Sequence, residues 1–137
     1  MHSKRFVALA TRISKEPVLA PKDAITSLEC QLDDYNRDLE ATGLQTHPMR
    51  FIPTGSYYAN AYEIPISPYL IFHVCKDPMP DGRLQILIES HGRYEESIPI
   101  DPEKLSDFVF DAIETHQTPK ERETIAEFAR TQDLSVS

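Results

Sequence analysis

Two stretches of the chain alternate with a period of two, and this pattern constrains the fold more than any other feature. The runs 69–75 and 83–90 are rich in β-branched and aromatic residues, which are typical of strands. Between them, Pro80 presets φ, Asp81 tolerates the bridge region and Gly82 takes a positive φ, so this segment favours a turn. The two runs therefore predict an antiparallel hairpin.

The alternation assigns each residue of these strands to one of two faces of the sheet. In the first hairpin, pairing Val74 with Leu84 brings the apolar side chains of both strands together. The predicted core face consists of Leu70, Phe72, Val74, Leu84, Ile86, Ile88, Ile98 and Ile100. The predicted opposite face is mixed and consists of Tyr69, Ile71, His73, Cys75, Gln85, Leu87, Glu89, Glu95 and Ser97.

A third run, 94–100, completes a meander. A two-residue loop before it would pair Ile86 with Ser97, whereas a three-residue loop with Gly92 near the left-handed region pairs Ile86 with Ile98. We predict the three-residue loop, because a slip of one residue would turn every side chain of the strand to the other face.

Three segments combine helical periodicity with signals for helix ends. The predicted helices are 22–42, 102–116 and 119–130. Gly43 suits the C-terminal end of the first helix, and Asp101 with Pro102 suits the start of the second. Thr118 and Glu121 have the spacing of a capping box at the start of the third.

The first helix carries a narrow apolar stripe. The stripe consists of Ile25, Leu28, Leu32, Tyr35 and Leu39. Packing on the chain's own sheet is the simplest interpretation, and a seam between two copies of the chain is the alternative. Strand 94–100 contains Pro99, which lacks an N–H and favours a sheet edge, so this edge is a second candidate surface for a homodimer.

Together these elements predict a single α+β domain over 1–137, in which an antiparallel β-meander of three to five strands is packed on one face by helices. The predicted strands are about 49–52, 61–66, 69–75, 83–90 and 94–100. Residues 4–13 fit helical spacing and fit a strand almost as well, and we favour the helix. Residues 1–16 form a basic arm that can be mobile, and 131–137 form a frayed tail.

The charge of the chain is uneven, with a formal net value of −8. Residues 1–22 hold five basic residues and one acidic residue, whereas the remaining residues hold nine basic and 21 acidic ones. The acidic body makes nucleic-acid binding unlikely through phosphate contacts and suits a protein partner with a basic surface, although solubility alone also explains it. The basic N-terminus also fits a targeting segment or an arm that touches nucleic acid or lipid.

No run approaches the roughly 20 apolar residues that a membrane helix needs. The two cysteines, Cys30 and Cys75, lie far apart and have no metal-ligand spacing, which predicts free thiols in a cytoplasmic protein. The sequence contains no phosphate-binding or metal motif, so we expect no cofactor and no metal.

Binding residues are predicted in two places. The segment 54–63 contains Tyr57, Tyr58 and Tyr62 among small polar residues, a composition typical of paratopes, although these tyrosines could instead close the core. The opposite face of the meander adds Tyr69, His73, Glu89 and Glu95, which core packing does not use.

Catalysis has one candidate pair. Cys75 and His73 lie two apart on one strand and share a face, as a thiol nucleophile and its base would. No orienting residue and no oxyanion site can be named, so a buried thiol and a satisfied histidine are the simpler interpretation. The sequence therefore favours a small acidic, non-enzymatic protein-binding module of the adaptor, inhibitor or chaperone type. A small enzyme and a nucleic-acid-mimicking regulator are the alternatives.

Overall fold

The computed structural model describes residues 4, 5, 7, 8, 19–53 and 60–132 of the chain. Its regular elements are α1 (Pro21–Thr42), β1 (Arg50–Ile52), β2 (Ala61–Ser67), β3 (Leu70–Cys75), β4 (Leu84–Ser90), β5 (Arg93–Ile100), a 3-10 turn (Pro102–Lys104), α2 (Leu105–Thr115) and α3 (Pro119–Thr131). Among the described residues, five strands form one antiparallel sheet in the order β1-β2-β3-β4-β5. Each strand therefore pairs with its neighbour in the chain, and the predicted α+β meander is confirmed.

The helix ends follow from local chemistry. Gly43 ends α1 in the left-handed region, with a φ of 78°. The capping box of α3 forms in full, since the Thr118 hydroxyl accepts from the Glu121 N–H and the Glu121 carboxylate accepts from the Thr118 N–H, both at 3.1 Å. Asp101 stands at the N-cap of the 3-10 turn without a side-chain capping bond, so this helix start depends on Pro102 and backbone bonds.

The core lies between the helices and the predicted core face of the sheet. Leu28 and Leu32 of α1, and Val109 of α2, are almost fully buried in one cluster with Phe72 and Ile86 of the sheet. The ring of Phe108 on α2 stacks on that of Phe72 at a centroid distance of 5.5 Å. Burial of this apolar area is the main source of the domain's stability.

The apolar stripe of α1 packs on the chain's own core. Its members Ile25, Leu28, Leu32 and Leu39 are each at most 5% exposed, and the Tyr35 ring packs edge-on against Phe110. Packing on the chain's own core therefore accounts for the stripe, and a homodimer through it has no support, because its side chains are already buried. Edge strand β5 stays a prediction as a dimer surface.

The register of the first hairpin differs from the prediction by two residues. Val74 pairs with Ile86 and not with Leu84, and Phe72 pairs with Ile88. A shift of two residues leaves every side chain on the same face, so the period-two pattern could not distinguish the two registers. The connection also contains its own turn, closed by a bond from the Gly82 N–H to the Met79 carbonyl.

The second hairpin has the predicted register with a different loop. Ile86 pairs with Ile98 as predicted, but Ser90 pairs with Arg93, so the loop has two residues and not three. The register changes along the hairpin, because β5 carries one extra residue, Glu95, in a β-bulge. The bulge restores the pairing of apolar residues that the longer loop was expected to produce.

The termini are described in part. Residues 4, 5, 7 and 8 are helical and exposed, in agreement with the helical alternative, while the rest of 4–13 lies outside the described residues. Strand β3 begins at Leu70, so Tyr69 belongs to the preceding turn. Within the described ranges, every helix is too short or too polar to span a bilayer.

Candidate functional site

The opposite face of the sheet carries a histidine at its centre. His73 lies on the middle strand β3, pairs laterally with Glu63 on β2 and Leu87 on β4, and is 2% exposed. Its Nε2 lies 3.2 Å from the Glu89 Oε1, with the Glu89 side chain 20% exposed. Since a carboxylate oxygen accepts, Nε2–H donates, and Glu89 orients the imidazole.

The thiol of Cys75 is not activated. Burial, together with the nearby carboxylate of Asp77, raises the pKa of the Cys75 thiol above its ordinary value. A raised pKa lowers the thiolate fraction near neutral pH, and the thiolate is the nucleophile. The adjacent His73 directs its Nε2 to Glu89. The geometry therefore supports a structural role for Cys75 better than nucleophilic catalysis.

An exposed aromatic surface lies where the ends of two hairpins meet. The backbone N–H of His91 donates to the Tyr69 carbonyl at 2.8 Å, which ties the β2–β3 turn to the β4–β5 turn. The two rings stack with centroids 5.0 Å apart and planes 24° apart. His91 and Gly92 both have positive φ, 53° and 77°, as a two-residue hairpin turn requires.

The same end of the sheet carries a second tyrosine and two acids. Tyr94 pairs with Glu89 across β4 and β5, next to the bulge at Glu95. Tyr69 is 65% exposed and Tyr94 is 51% exposed, the two largest exposed fractions among the large hydrophobic residues described. We call this end of the sheet the hairpin-end surface, and it consists of Tyr69, His91, Arg93, Tyr94, Glu95 and Glu96.

The structure brings together some of the predicted binding residues and separates others. His73 contacts Glu89, and Tyr69 and Glu95 both belong to the hairpin-end surface. Tyr62 lies on the core face, opposite Val74, where its ring contacts that of Phe51. Tyr57 and Tyr58 lie outside the described residues.

Of the residues of the hairpin-end surface, only Tyr69 and Glu95 were predicted from the sequence, and the others, among them His91 and Tyr94, were missed. A usable signal was present, because His91-Gly92 is a two-residue turn and Tyr94 lies two residues after it. Stacking of His91 on Tyr69 depends on two turns 22 residues apart meeting in space, which no local pattern shows.

Metal ligands do not cluster in the part of the chain that the structure describes, where no three histidine, cysteine, aspartate or glutamate side chains come close enough to share an ion. Comparison with protein-family models, with curated proteins and with solved structures gives no match to this chain.

Proposed function

We propose that this chain is a non-enzymatic protein-binding module whose hairpin-end surface recognises a basic segment of a partner protein. The observation that carries the proposal is the pair of exposed tyrosines, Tyr69 and Tyr94, at the end of the sheet that also carries the exposed acids Glu95 and Glu96. Tyrosine supplies a large and rigid contact area at a small cost in side-chain entropy.

Two physical effects favour a basic partner. The faces of tyrosine rings attract ammonium and guanidinium groups, and the two carboxylates add direct charge pairing. The acidic body of the chain strengthens the attraction at a distance and speeds the encounter with a positively charged surface. The stack of Tyr69 on His91 holds one ring in place before binding, which reduces the entropy lost on association.

The backbone of β5 is a less suitable contact. Its bulge at Glu95, the charges of Glu95 and Glu96, and Pro99 all act against the addition of another strand. Recognition through side chains at the hairpin ends therefore agrees better with this edge than strand pairing does.

A displayed library of random peptides, selected on the full chain, tests the proposal. We expect the selected peptides to be enriched in lysine and arginine and to bind more weakly when ionic strength rises from about 0.05 to about 0.5 M. Tyr69→Ala and Tyr94→Ala should each weaken binding by about tenfold or more, as removal of a central aromatic contact does.

A matched pair of double variants separates local contact from overall charge. Glu95→Gln with Glu96→Gln removes two charges from the hairpin-end surface, whereas Asp33→Asn with Asp38→Asn removes two exposed charges from α1. The first variant should weaken binding clearly more than the second. Equal effects, selected peptides without basic residues, or binding that survives both tyrosine substitutions would each refute the proposal.

The free cysteines favour a reducing compartment such as the cytoplasm. Cys30 is exposed and Cys75 is half-buried, and both are free thiols. An exposed thiol forms intermolecular disulfides under oxidising conditions. We expect mild oxidation to produce a disulfide-linked dimer, and Cys30→Ser to abolish it. A dimer that persists in Cys30→Ser contradicts this argument.

A further inference from the structure

A pocket of about 330 Å³ opens beside the C-terminal ends of α1 and α2, next to the turn between β2 and β3. Three segments form most of its wall, namely the loop after α1, at 43–47, the end of β2 with the turn that follows it, at 65–68, and the connection between α2 and α3, at 116–118. Ile113 of α2 and Glu121 of α3 complete the lining. The volume is within the range of small-ligand sites. Ser67 and Pro68 line the pocket and immediately precede Tyr69, so the pocket and the hairpin-end surface share one turn.

His47 is fixed in the pocket wall by three hydrogen bonds. Its N–H donates to the Asn36 Oδ1 at 2.8 Å, and its carbonyl accepts from the Asn36 Nδ2 at 3.1 Å. Its Nδ1 lies 2.8 Å from the Pro65 carbonyl. Because a carbonyl can only accept, Nδ1 carries the hydrogen, and in the neutral ring Nε2 is an acceptor.

His116 repeats this arrangement on the other side of the pocket. Its Nδ1 lies 2.8 Å from the Ala112 carbonyl in the last turn of α2, so Nδ1–H donates there as well. In the neutral ring its Nε2 is then also an acceptor. The pocket wall therefore contains two imidazoles whose donor nitrogens are both engaged by backbone carbonyls.

Glu121 makes the pocket negative. Its Oε1 accepts from the Thr118 N–H in the capping box, which leaves the carboxylate with further acceptor capacity. The lining contains this carboxylate and neither lysine nor arginine. Burial raises the pKa of the neighbouring Tyr35 hydroxyl, the hydrogen bond from Gln117 opposes this change, and the charges of Glu114 and Glu121 raise the pKa further.

The rest of the lining is apolar and suits an aliphatic chain. Leu44, Ile66 and Ile113 form this part of the wall together with Pro65 and Pro68. An occupant that matches both parts has a positively charged donor at the end of an aliphatic stem. Lysine and arginine side chains have this chemistry.

We propose that this pocket binds a lysine or arginine side chain of the partner protein, with its charged group donating to Glu121 and to the imidazole acceptors. The proposal rests on the proposed function, since it names where a basic residue of the partner is held. An organic cation fits better than a metal ion, because no three metal-binding side chains converge in the described residues.

Small probes test the pocket without the partner. N-acetyl-lysine methylamide, N-acetyl-arginine methylamide and the uncharged N-acetyl-norleucine methylamide would be titrated into the ¹⁵N-labelled full chain and followed by NMR. We expect the two cationic probes to shift the amide signals of 43–47, 66–67 and 116–118, and to bind about tenfold or more tightly than norleucine, as a charged hydrogen bond predicts.

Two variants of the same helix provide a matched comparison. Glu121→Gln removes the charge, and glutamine at this position still completes a capping box, so α3 should remain folded. Glu123→Gln removes an exposed charge from the first turns of α3, outside the pocket lining. Glu121→Gln should weaken the cationic probes about tenfold and leave norleucine unchanged, whereas Glu123→Gln should have little effect.

His47→Asn is a second test, because asparagine retains a donor near the Nδ1 position and removes Nε2. It should also weaken the binding of the cationic probes.

Any of three results would overturn the proposal. The norleucine probe binds as tightly as the cationic probes, the shifted amide signals lie on the acidic side of α1 and not around the pocket, or Glu121→Gln leaves the affinity of the cationic probes unchanged. Peptides that depend on Tyr69 but ignore Glu121→Gln would leave the proposed function standing and reject the pocket. If the cationic probes bind in the pocket but Tyr69→Ala leaves peptide binding unchanged, the pocket stands and the proposed function is rejected.

Discussion

Asn36 clamps the loop that follows α1, and its removal should destabilise the domain measurably. Its side chain bonds both the N–H and the carbonyl of His47, at 2.8 and 3.1 Å, and the site is partly buried. Each such bond contributes a net 0.5–1.5 kcal/mol, so Asn36→Ala should lower the free energy of unfolding by about 1–3 kcal/mol. For a domain of this size, the corresponding fall in Tm is roughly 3–10 °C.

Urea unfolding measures this loss, and hydrogen exchange locates it. In Asn36→Ala the amide of His47 loses its acceptor, so its exchange should accelerate towards that of an open loop. Gln31→Ala is the matched control on the same helix, because the Gln31 amide donates to the hydroxyls of Ser27 and Ser106 at a solvent-exposed position. That variant should cost less than about 0.5 kcal/mol.

Either of two results would show that Asn36 does not hold the loop in this way. One is a loss of stability in Asn36→Ala no larger than that in Gln31→Ala. The other is unchanged exchange of the His47 amide, since the N–H would then have a different acceptor. If the clamp is correct, Asn36→Ala should also weaken the cationic probes in the pocket, because His47 would no longer be held in place.

Three further predictions concern stability and reactivity. Leu28→Ala should cost about 2–5 kcal/mol in urea unfolding, because Leu28 is fully buried, and a cost under about 1 kcal/mol would contradict the core assignment. Thr118→Ala should cost about 1 kcal/mol and Thr118→Ser should recover most of it, whereas equal losses would mean that the hydroxyl does not cap α3. In Cys30→Ser, the remaining Cys75 should react with iodoacetamide at neutral pH more slowly than glutathione, because its raised pKa reduces the thiolate, and a faster reaction would revive the catalytic hypothesis.

Much of the fold could be predicted because its signals are local. Period-two alternation assigned Phe72, Val74 and Ile86 to the core face, and all three are buried there. The Thr118 capping box depends on two residues three apart, and it formed as predicted. Such features survive in the tertiary structure because burial and local hydrogen bonding favour the same conformation.

The register of the hairpins could be predicted only in part. Pairing Val74 with Leu84 or with Ile86 keeps the same faces, so hydrophobicity alone gave two equivalent answers. In the second hairpin, the apolar pairing required one extra residue between the paired positions, and either a longer loop or a bulge could supply it. The left-handed conformation of His91 together with the bulge at Glu95 was the outcome.

The candidate sites depended more on tertiary structure than the fold did. The sequence indicated the opposite face and placed His73 and Glu89 there, and the structure joined them. It did not indicate the stack of Tyr69 on His91, or the pocket between His47, His116 and Glu121. These groups come from segments far apart in the chain, and their contacts exist only after the hairpins and helices have packed.

The alternating strands 69–75 and 83–90 thus determined by themselves an antiparallel hairpin with one apolar face, because side-chain direction in a strand is a property of the backbone. Only the tertiary structure decided which polar and aromatic residues remained available at its surface. The reason is physical: burial of the core face is set by each residue's own hydrophobicity, whereas a binding surface is set by which separate turns meet when that core has formed.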